Sequence, residues 1–528
     1  MTRMAEGLRR PLLLLLACCT VAGCIHRFSA LRQEEIALGG PASIASPVKA
    51  HLKDGSVVIY PTGATVGRDS IHGSGMWYDA LRRDSTAHAA ALAMDRVVGL
   101  ESFSLRTNTA QSALVSLAAS AGIAVVAVAG IVAIACIADP KCFGSCPTVY
   151  TMAESGEVLE AELFSYSVAP LLEARDVDLL GARVDAQGYV DLEIRNEALE
   201  THQINHLELL EVRHAAGESV LPDERGRPLV VDGYAAARAR DRTGRDVSAE
   251  LAMRDSMSFA TQRQVLASAS LDDMHDHIDI AVPRPAGRDS VAVVLRMRNS
   301  LLNTVLFYDM MLGSAGAKAL DWLGTDLQRI GPAVELGSWY ASRFGMWVAV
   351  EDGGAYRAVT RVADTGPIAW TDMAVLVPVP ATGDSMRIRL SFVMDEWRID
   401  QVRVALDARR AEPRSIRLMD VIGADEMSIP DALLRMAEPD ELYVETGPGH
   451  RFTARFHAGA DRGDGTRTFL LSSQGFYTEW IRPDWVRFAQ QPEPFRPGDP
   501  TLLAALRRWD EVKPEFERRF YETRIPVR

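Results

Sequence analysis

The amino-acid sequence predicts a mainly β protein with helical insertions: a small β unit, one long apolar helix, and antiparallel β-sandwich-like modules over most of the remainder. Three observations carry this. Short runs rich in Val, Ile, Tyr and Phe recur between Gly, Pro, Asn and Asp turn residues along the 528-residue chain. Several runs alternate in polarity, as in Met386-Arg387-Ile388-Arg389-Leu390-Ser391-Phe392, the pattern of an antiparallel strand with one buried face. Helical spacing is confined to a few segments, chiefly residues 300–330 and the C-terminus.

Length allows on the order of two to four domains. An apolar content of 48% is enough for packed cores and excludes wholesale disorder. A net charge of −13, with a pI near 5.4, speaks against nucleic acid and anionic lipid surfaces as partners, because both need concentrated positive charge. Lysine occurs at positions 49, 53, 141, 318 and 513 only, so arginine supplies nearly all the cations.

The chain starts like an export signal. Arg3, Arg9 and Arg10 form a positive n-region, and Pro11 to Cys19, dominated by Leu12 to Leu16, form an apolar run. That run is too short to span a bilayer, which takes about 20 residues, and has the length of a signal-peptide h-region. Val21-Ala22-Gly23-Cys24 follows it and resembles the lipobox of bacterial lipoproteins. The resemblance implies cleavage before Cys24, acylation of that cysteine, and a mature chain anchored to a membrane by lipid, with residues 24–46 as a linker. Ile25 stands where an Asp would signal inner-membrane retention, so the outer membrane is the expected address. An ordinary secretory signal ending near a cysteine is the competing reading.

Residues 47–105 read as a small β unit. Val57-Val58-Ile59-Tyr60 lies between Lys53-Asp54-Gly55-Ser56 and Pro61-Thr62-Gly63, and Ile71 to Tyr78 and Met94 to Phe103 supply further strands. The turn, strand, turn and late Asp95-Arg96-Val97-Val98-Gly99-Leu100-Glu101 are similar to small SH3-like or Sm-like barrels, which implies an interaction module.

Ala113 to Ile137 is apolar and uncharged. As a helix it would be about 37 Å long, enough to cross a hydrocarbon core of about 30 Å, so it is expected to enter a membrane. The competing reading is a helix buried in protein. Cys142 and Cys146 flank Phe143-Gly144-Ser145, a short loop able to close as a disulfide in an oxidising compartment. No metal or cofactor is expected from these cysteines.

From residue 138 to 299 the pattern is β-rich. Val149 to Tyr166 forms a hairpin around Ser155-Gly156, Gly188 to Arg195 buries Val190, Leu192 and Ile194, and Leu207 to His214 follows. The stretch from Cys146-Pro147-Thr148-Val149-Tyr150 to Ile194-Arg195-Asn196 resembles uncharacterised exported proteins of environmental bacteria, which supports export and implies no activity. Residues 300–330 are helical, with Leu301, Leu302, Val305, Leu306, Met310 and Met311 at helical spacing. Strands return over a second β-rich domain at 335–490, through Val402 to Leu406, Leu442 to Val444, Phe452 to Phe456 and Thr466 to Ser472. Thr468 to Phe476 resembles β-rich terminal modules of large exported proteins. A Pro-rich linker and a helix over Thr501 to Tyr521 close the chain, within 491–528.

Candidate chemistry is sparse. Asp272, Asp273, His275, Asp276, His277 and Asp279 have the composition of a metal site, but Ile278, Ile280 and Val282 alternate as a strand interior, so the cluster reads as a solvated strand start. His202 and His206 have the spacing of a helical metal pair and lie in a stretch that reads as strand. Tyr477, Trp480 and Trp485 are the aromatics able to stack on a glycan. Arg462-Gly463-Asp464 is read as a chance tripeptide. The sequence therefore predicts no catalytic residue and favours an envelope lipoprotein with a structural or binding role, toward an envelope protein or glycan. Its rivals are a secreted hydrolase or glycan-acting enzyme, and an assembly component that oligomerises through the apolar helix.

Overall fold

The computed structural model describes residues 29–35, 42–44, 48–52, 56–60, 63–78, 85–107, 147–153, 156–164, 167, 173–198, 200–312, 330–440, 442–447, 449–460, 463, 465–479, 496–522 and 527. Its strands fall into two compact units, the first within residues 29–107 and the second from residue 147 onward. Among the described residues all strand pairs are antiparallel, in keeping with the alternating sequence.

Among the described residues the first unit has ten strands: β1 (Ser29–Glu35), β2 (Ala42–Ile44), β3 (Val48–Leu52), β4 (Val57–Tyr60), β5 (Ala64–Val66), β6 (Ser70–His72), β7 (Gly75–Tyr78), β8 (Ser85–His88), β9 (Leu92–Ala93) and β10 (Val97–Thr107). They form a sheet in the order β1-β10-β3-β4-β7-β8 and a smaller one, β2-β5-β6-β9. Val48, Ala50, Val58, Tyr60 and Leu100 of the larger sheet share one core with Val66, Ile71 and Leu92 of the smaller. The single run expected over Ile71 to Tyr78 is two strands in different sheets, because Gly73-Ser74 breaks it.

The second unit begins with the hairpin β11 (Thr148–Ala153) and β12 (Gly156–Glu162), followed by β13 (Ala174–Leu180), β14 (Tyr189–Arg195), β15 (Glu200–His214), β16 (Ser219–Pro222), β17 (Pro228–Ala235) and β18 (Arg238–Asp241). After helix α1 (Arg263–Ala267) come β19 (His275–Pro283) and β20 (Ser290–Asn299), then α2 (Leu302–Thr304), which continues as a π-helix over Val305–Leu312, and α3 (Ile330–Arg343), whose residues from Leu336 on belong to this unit. The remaining strands are β21 (Met346–Asp352), β22 (Ala355–Val362), β23 (Thr371–Pro378), β24 (Ser385–Val393), β25 (Trp397–Arg410), β26 (Arg414–Gly423), β27 (Val444–Thr446), β28 (Arg451–His457) and β29 (Thr466–Glu479), with α4 (Pro430–Met436) between β26 and β27 and α5 (Asp499–Glu522) at the end.

Nine of these strands make one sheet, ordered β12-β11-β14-β28-β26-β15-β29-β13 with β27 also on β15. Its inward side chains, among them Val190, Leu192, Ile194, Leu209, Phe456 and Leu471, form one core. Gly475 of β29 sits where a side chain would strike the Gln203 carbonyl and the Phe164 ring, at the irregularity between Ile204 and His206 that lets β15 bend. Two five-stranded sheets, β16-β17-β25-β20-β23 and β18-β19-β24-β21-β22, meet face to face on a second core that includes Ile278, Ile280, Val293, Leu295, Ile388 and Leu390.

Two expectations are corrected. The β-rich regions 138–299 and 335–490 are not separate domains: β13 and β15 pair with β29, β14 with β28, β20 with β25 and β19 with β24. Loop closure costs free energy only as the logarithm of loop length, so distant strands with matching faces pair readily. Strands do not resume at 335, because α3 runs to Arg343 and buries Leu336 and Tyr340, the ring of the latter stacked at 4.3 Å on buried Phe344 just past the helix. The helical region 300–330 is described as far as Leu312, where α2 and the π-helix Val305–Leu312 are helical as expected; residues 313–329 lie outside the described residues. Among the described residues no helix is long and apolar enough to cross a membrane, and residues 113–137 lie outside them.

Candidate functional site

A cleft of about 1120 Å³ opens in the second unit beside the β11–β12 hairpin. Its walls are the hairpin itself, the end of β13 with residues 181–185, the outer face of β14, Arg296 of β20, and Trp370 and Asp372 at the start of β23. Strand alternation explains why these walls are polar. On β14, Val190, Leu192 and Ile194 point into the core, which leaves Tyr189, Asp191 and Glu193 on the outer face.

The charges in the cleft are held by one another. Arg195 lies over the Tyr150 ring at 4.1 Å, donates to Glu157 at 2.5 Å and pairs with Glu193. That bond from Arg195 holds the Glu157 carboxyl below its usual range. Opposite, Arg254 and Arg296 donate to the same oxygen of Asp372, at 2.8 and 2.6 Å, and Arg296 also donates to Asp400 at 2.9 Å. Asp400 in turn accepts the Ser256 N–H at 2.7 Å, fixing the loop that carries Arg254 in a left-handed turn at Ser256, φ 65°. Burial pushes the Asp372 carboxyl above its usual range although both guanidiniums pull it down. Trp370 lies within 5.5 Å of the Arg296 guanidinium and 5.0 Å of that of Arg298.

Carboxylates in the lining and behind it are held by backbone N–H groups. Glu160 of β12 accepts the Gly181 N–H at 2.6 Å and the Thr151 hydroxyl. Buried Glu162 accepts the N–H groups of Ile368 and Ala369 at 2.8 and 3.2 Å. Gly366, at φ 85°, is needed twice over: its backbone is left-handed, and a side chain would collide with the Glu162 carboxylate. The lining contains no histidine, cysteine or serine side chain, so its chemistry is that of hydrogen bonding, charge and aromatic contact.

The residues singled out in the sequence fall elsewhere. Cys24, Cys142, Cys146, Trp480 and Trp485 lie outside the described residues, as does most of Arg462-Gly463-Asp464. Tyr477 is fully buried, its ring 6.3 Å from that of His202, so it offers no face to a glycan; this corrects the expectation. The alternation of β29 could have warned of it, since Tyr477 follows Phe469 and Leu471 at even spacing across the bend near Gly475. His202 sits beside Glu200 at 3.1 Å, whereas His206 turns to the Met436 carbonyl, so the two have different partners. His277 lies 3.9 Å from Asp279, and burial, then Arg389, keeps its imidazole below the usual range. Asp276 shares the inward side of β19 with Ile278 and accepts the Thr261 hydroxyl at 2.7 Å. Among the described residues no group of three or more His, Cys, Asp or Glu is placed to hold a metal ion. Sequence reasoning passed over Trp370, Asp372, Arg195, Arg254 and Arg296, which come from four separate segments and share no local motif.

No protein-family model and no curated protein matches the chain. Among solved structures, a cycloalternan-forming enzyme from Listeria monocytogenes, in complex with a pentasaccharide substrate, aligns at 8% identity and a TM-score of 0.17, over 69% of this chain and 29% of that one. A likeness that slight carries no argument about fold or function.

Proposed function

We propose that this chain is a lipid-anchored binding protein of the bacterial envelope, attached through Cys24, and that the cleft beside β12 receives its ligand. The observation that carries the binding half is the state of the cleft lining: four arginines and six carboxylates, most of them tied into ion pairs and backbone hydrogen bonds before any ligand arrives. Such preorganised polar walls around a cleft of this size suit ligand capture, because little side-chain entropy remains to be lost on binding. Attachment rests on the sequence at Val21 to Cys24, and the first unit, with its two small sheets, serves in this reading as an SH3-like interaction module. The sheet pair of the second unit acts as a sandwich that holds Arg296 and Asp372 rigidly.

Two measurements test the two halves. Cells expressing wild type and Cys24→Ala are fractionated and labelled with a fatty-acid probe; the wild type should take up label and sediment with membranes, and the variant should lose the label. Equal behaviour removes the anchor. A thermal-shift screen of the purified chain against oligosaccharides, peptides and small polar solutes should then find a stabilising ligand, and Trp370→Ala should weaken it about tenfold, as central aromatic contacts do. A ligand that binds Trp370→Ala as tightly as wild type sits somewhere other than the cleft.

A further inference from the structure

We infer that the ligand is an extended, cationic stretch of polypeptide that pairs with the free edge of β12 as an added strand. The inference rests on the reading of the cleft as a ligand site. Among the described residues β12 pairs in the sheet with β11 and β13 with β29, so both are terminal strands of the nine-stranded sheet, and Glu157 to Leu159 of β12 line the cleft. Such edges are templates for another strand, and natural proteins cover or charge them.

Near its end, β12 is tied to the body of the protein through its side chains: Glu160 accepts the Gly181 N–H, and Glu162 accepts those of Ile368 and Ala369. Toward the hairpin tip, Glu157 to Leu159 face β11 on one side and the cleft on the other, and Met152, Ala153 and Glu157 are exposed.

The lining matches a peptide better than a sugar. Val158, Leu159, Leu179 and Ile368 are half-buried apolar contacts for alternate side chains of an extended chain. Exposed Met152, long and adaptable, extends that apolar surface at the rim. The rings of Tyr150 and Trp370 already carry arginines, which reduces the face a sugar could stack on. Six carboxylates against four arginines leave the lining net negative, with Glu157 and Asp185 exposed, and the whole chain carries −13. Lysine and arginine on the incoming strand complement that field.

The test uses the full chain in detergent and a fluorescent, end-capped octapeptide, Lys-Val-Lys-Thr-Lys-Val-Lys-Thr, read by anisotropy at low salt. Two further versions are N-methylated on odd or on even residues, which removes backbone donors and keeps the charge; another replaces each Lys by Glu. The parent peptide should bind saturably, at least one N-methylated isomer should lose about tenfold, the scale of lost backbone hydrogen bonds, and the acidic peptide and the Glu157→Lys variant should each weaken binding. Equal binding of both methylated isomers means charge attraction without strand pairing and overturns the proposal, as does absence of binding. If an oligosaccharide stabilises wild type and not Trp370→Ala while no peptide binds, the cleft remains the ligand site and strand pairing falls. If neither class binds, both readings fall.

Discussion

Glu396 and Asp364 meet in the interior of the second unit, both essentially without solvent contact. Asp364 accepts from Asn299 at 2.7 Å, from Asn303 at 3.1 Å and from the Tyr340 hydroxyl. Glu396 accepts the N–H groups of Gly345 at 2.6 Å and Val393 at 3.0 Å. Burial, and then the charge of Asp364, push the Glu396 carboxyl well above its usual range, so it is the partner that keeps a proton. A folded-state pKa raised above the unfolded value, about 4.3 for Glu, means that the stabilisation is complete at acid pH and declines as pH rises toward the folded pKa. Urea unfolding at a series of pH values should therefore show Glu396→Gln gaining on wild type as pH increases; a difference that does not change with pH contradicts the assignment. Asp364→Asn places an N–H₂ group among three donors and should destabilise by about 1–3 kcal/mol at neutral pH, read as a lowered denaturation midpoint. Nothing local in Ala363-Asp364-Thr365 or Asp395-Glu396-Trp397 announces this pair, because 31 residues and two strands separate its members.

At the scale of elements, α5 shows what periodicity reveals and what it leaves open. Leu502, Leu506 and Trp509 recur at helical spacing, and all three are buried, so the helix and its apolar stripe are legible in the sequence. The partner is not. Trp509 donates its indole N–H to Asp395 at 2.7 Å, Lys513 donates to the same oxygen at 2.7 Å, and Arg398 donates to the other at 2.9 Å. Asp395 itself is held at φ 60° in the tight turn between β24 and β25. Trp509→Ala should cost about 3–5 kcal/mol, the range for a large buried aromatic. Trp509→Phe keeps most of the packing and loses the hydrogen bond to a charged acceptor, about 1.5–3 kcal/mol. Chemical denaturation of the two variants separates the contributions; equal losses would mean that the hydrogen bond dominates. The helix α3 illustrates the opposite outcome: Gly331, Pro332 and Gly337 speak against a helix, and burial of Leu336, Tyr340 and Phe344 overrides them.

At the scale of the whole molecule, the cleft depends on strands brought together from residues 150–195 and 254–372. Arg254→Ala removes one of two guanidiniums from Asp372 while Asp400 and Gln401 still hold its loop; it should weaken ligand capture and, by removing a positive neighbour, raise the Asp372 carboxyl further, a shift readable by NMR titration. The sequence alone determined the β class, a hairpin at β11 and β12, strands within 57–60, 189–195, 386–392 and 452–456, the C-terminal helix and the acidic charge, because each is set by neighbours within a few residues or by composition. Side-chain alternation also foretold the buried faces of β14, β19 and β24. Only the tertiary structure decided that the two β-rich regions are one unit, that Tyr477 faces inward, and that Trp370, Asp372 and the arginines share a cleft. The physical reason is that antiparallel pairing is specified by complementary edges and faces, which distant segments satisfy at small entropic cost, whereas no single stretch of sequence records which partner it will meet.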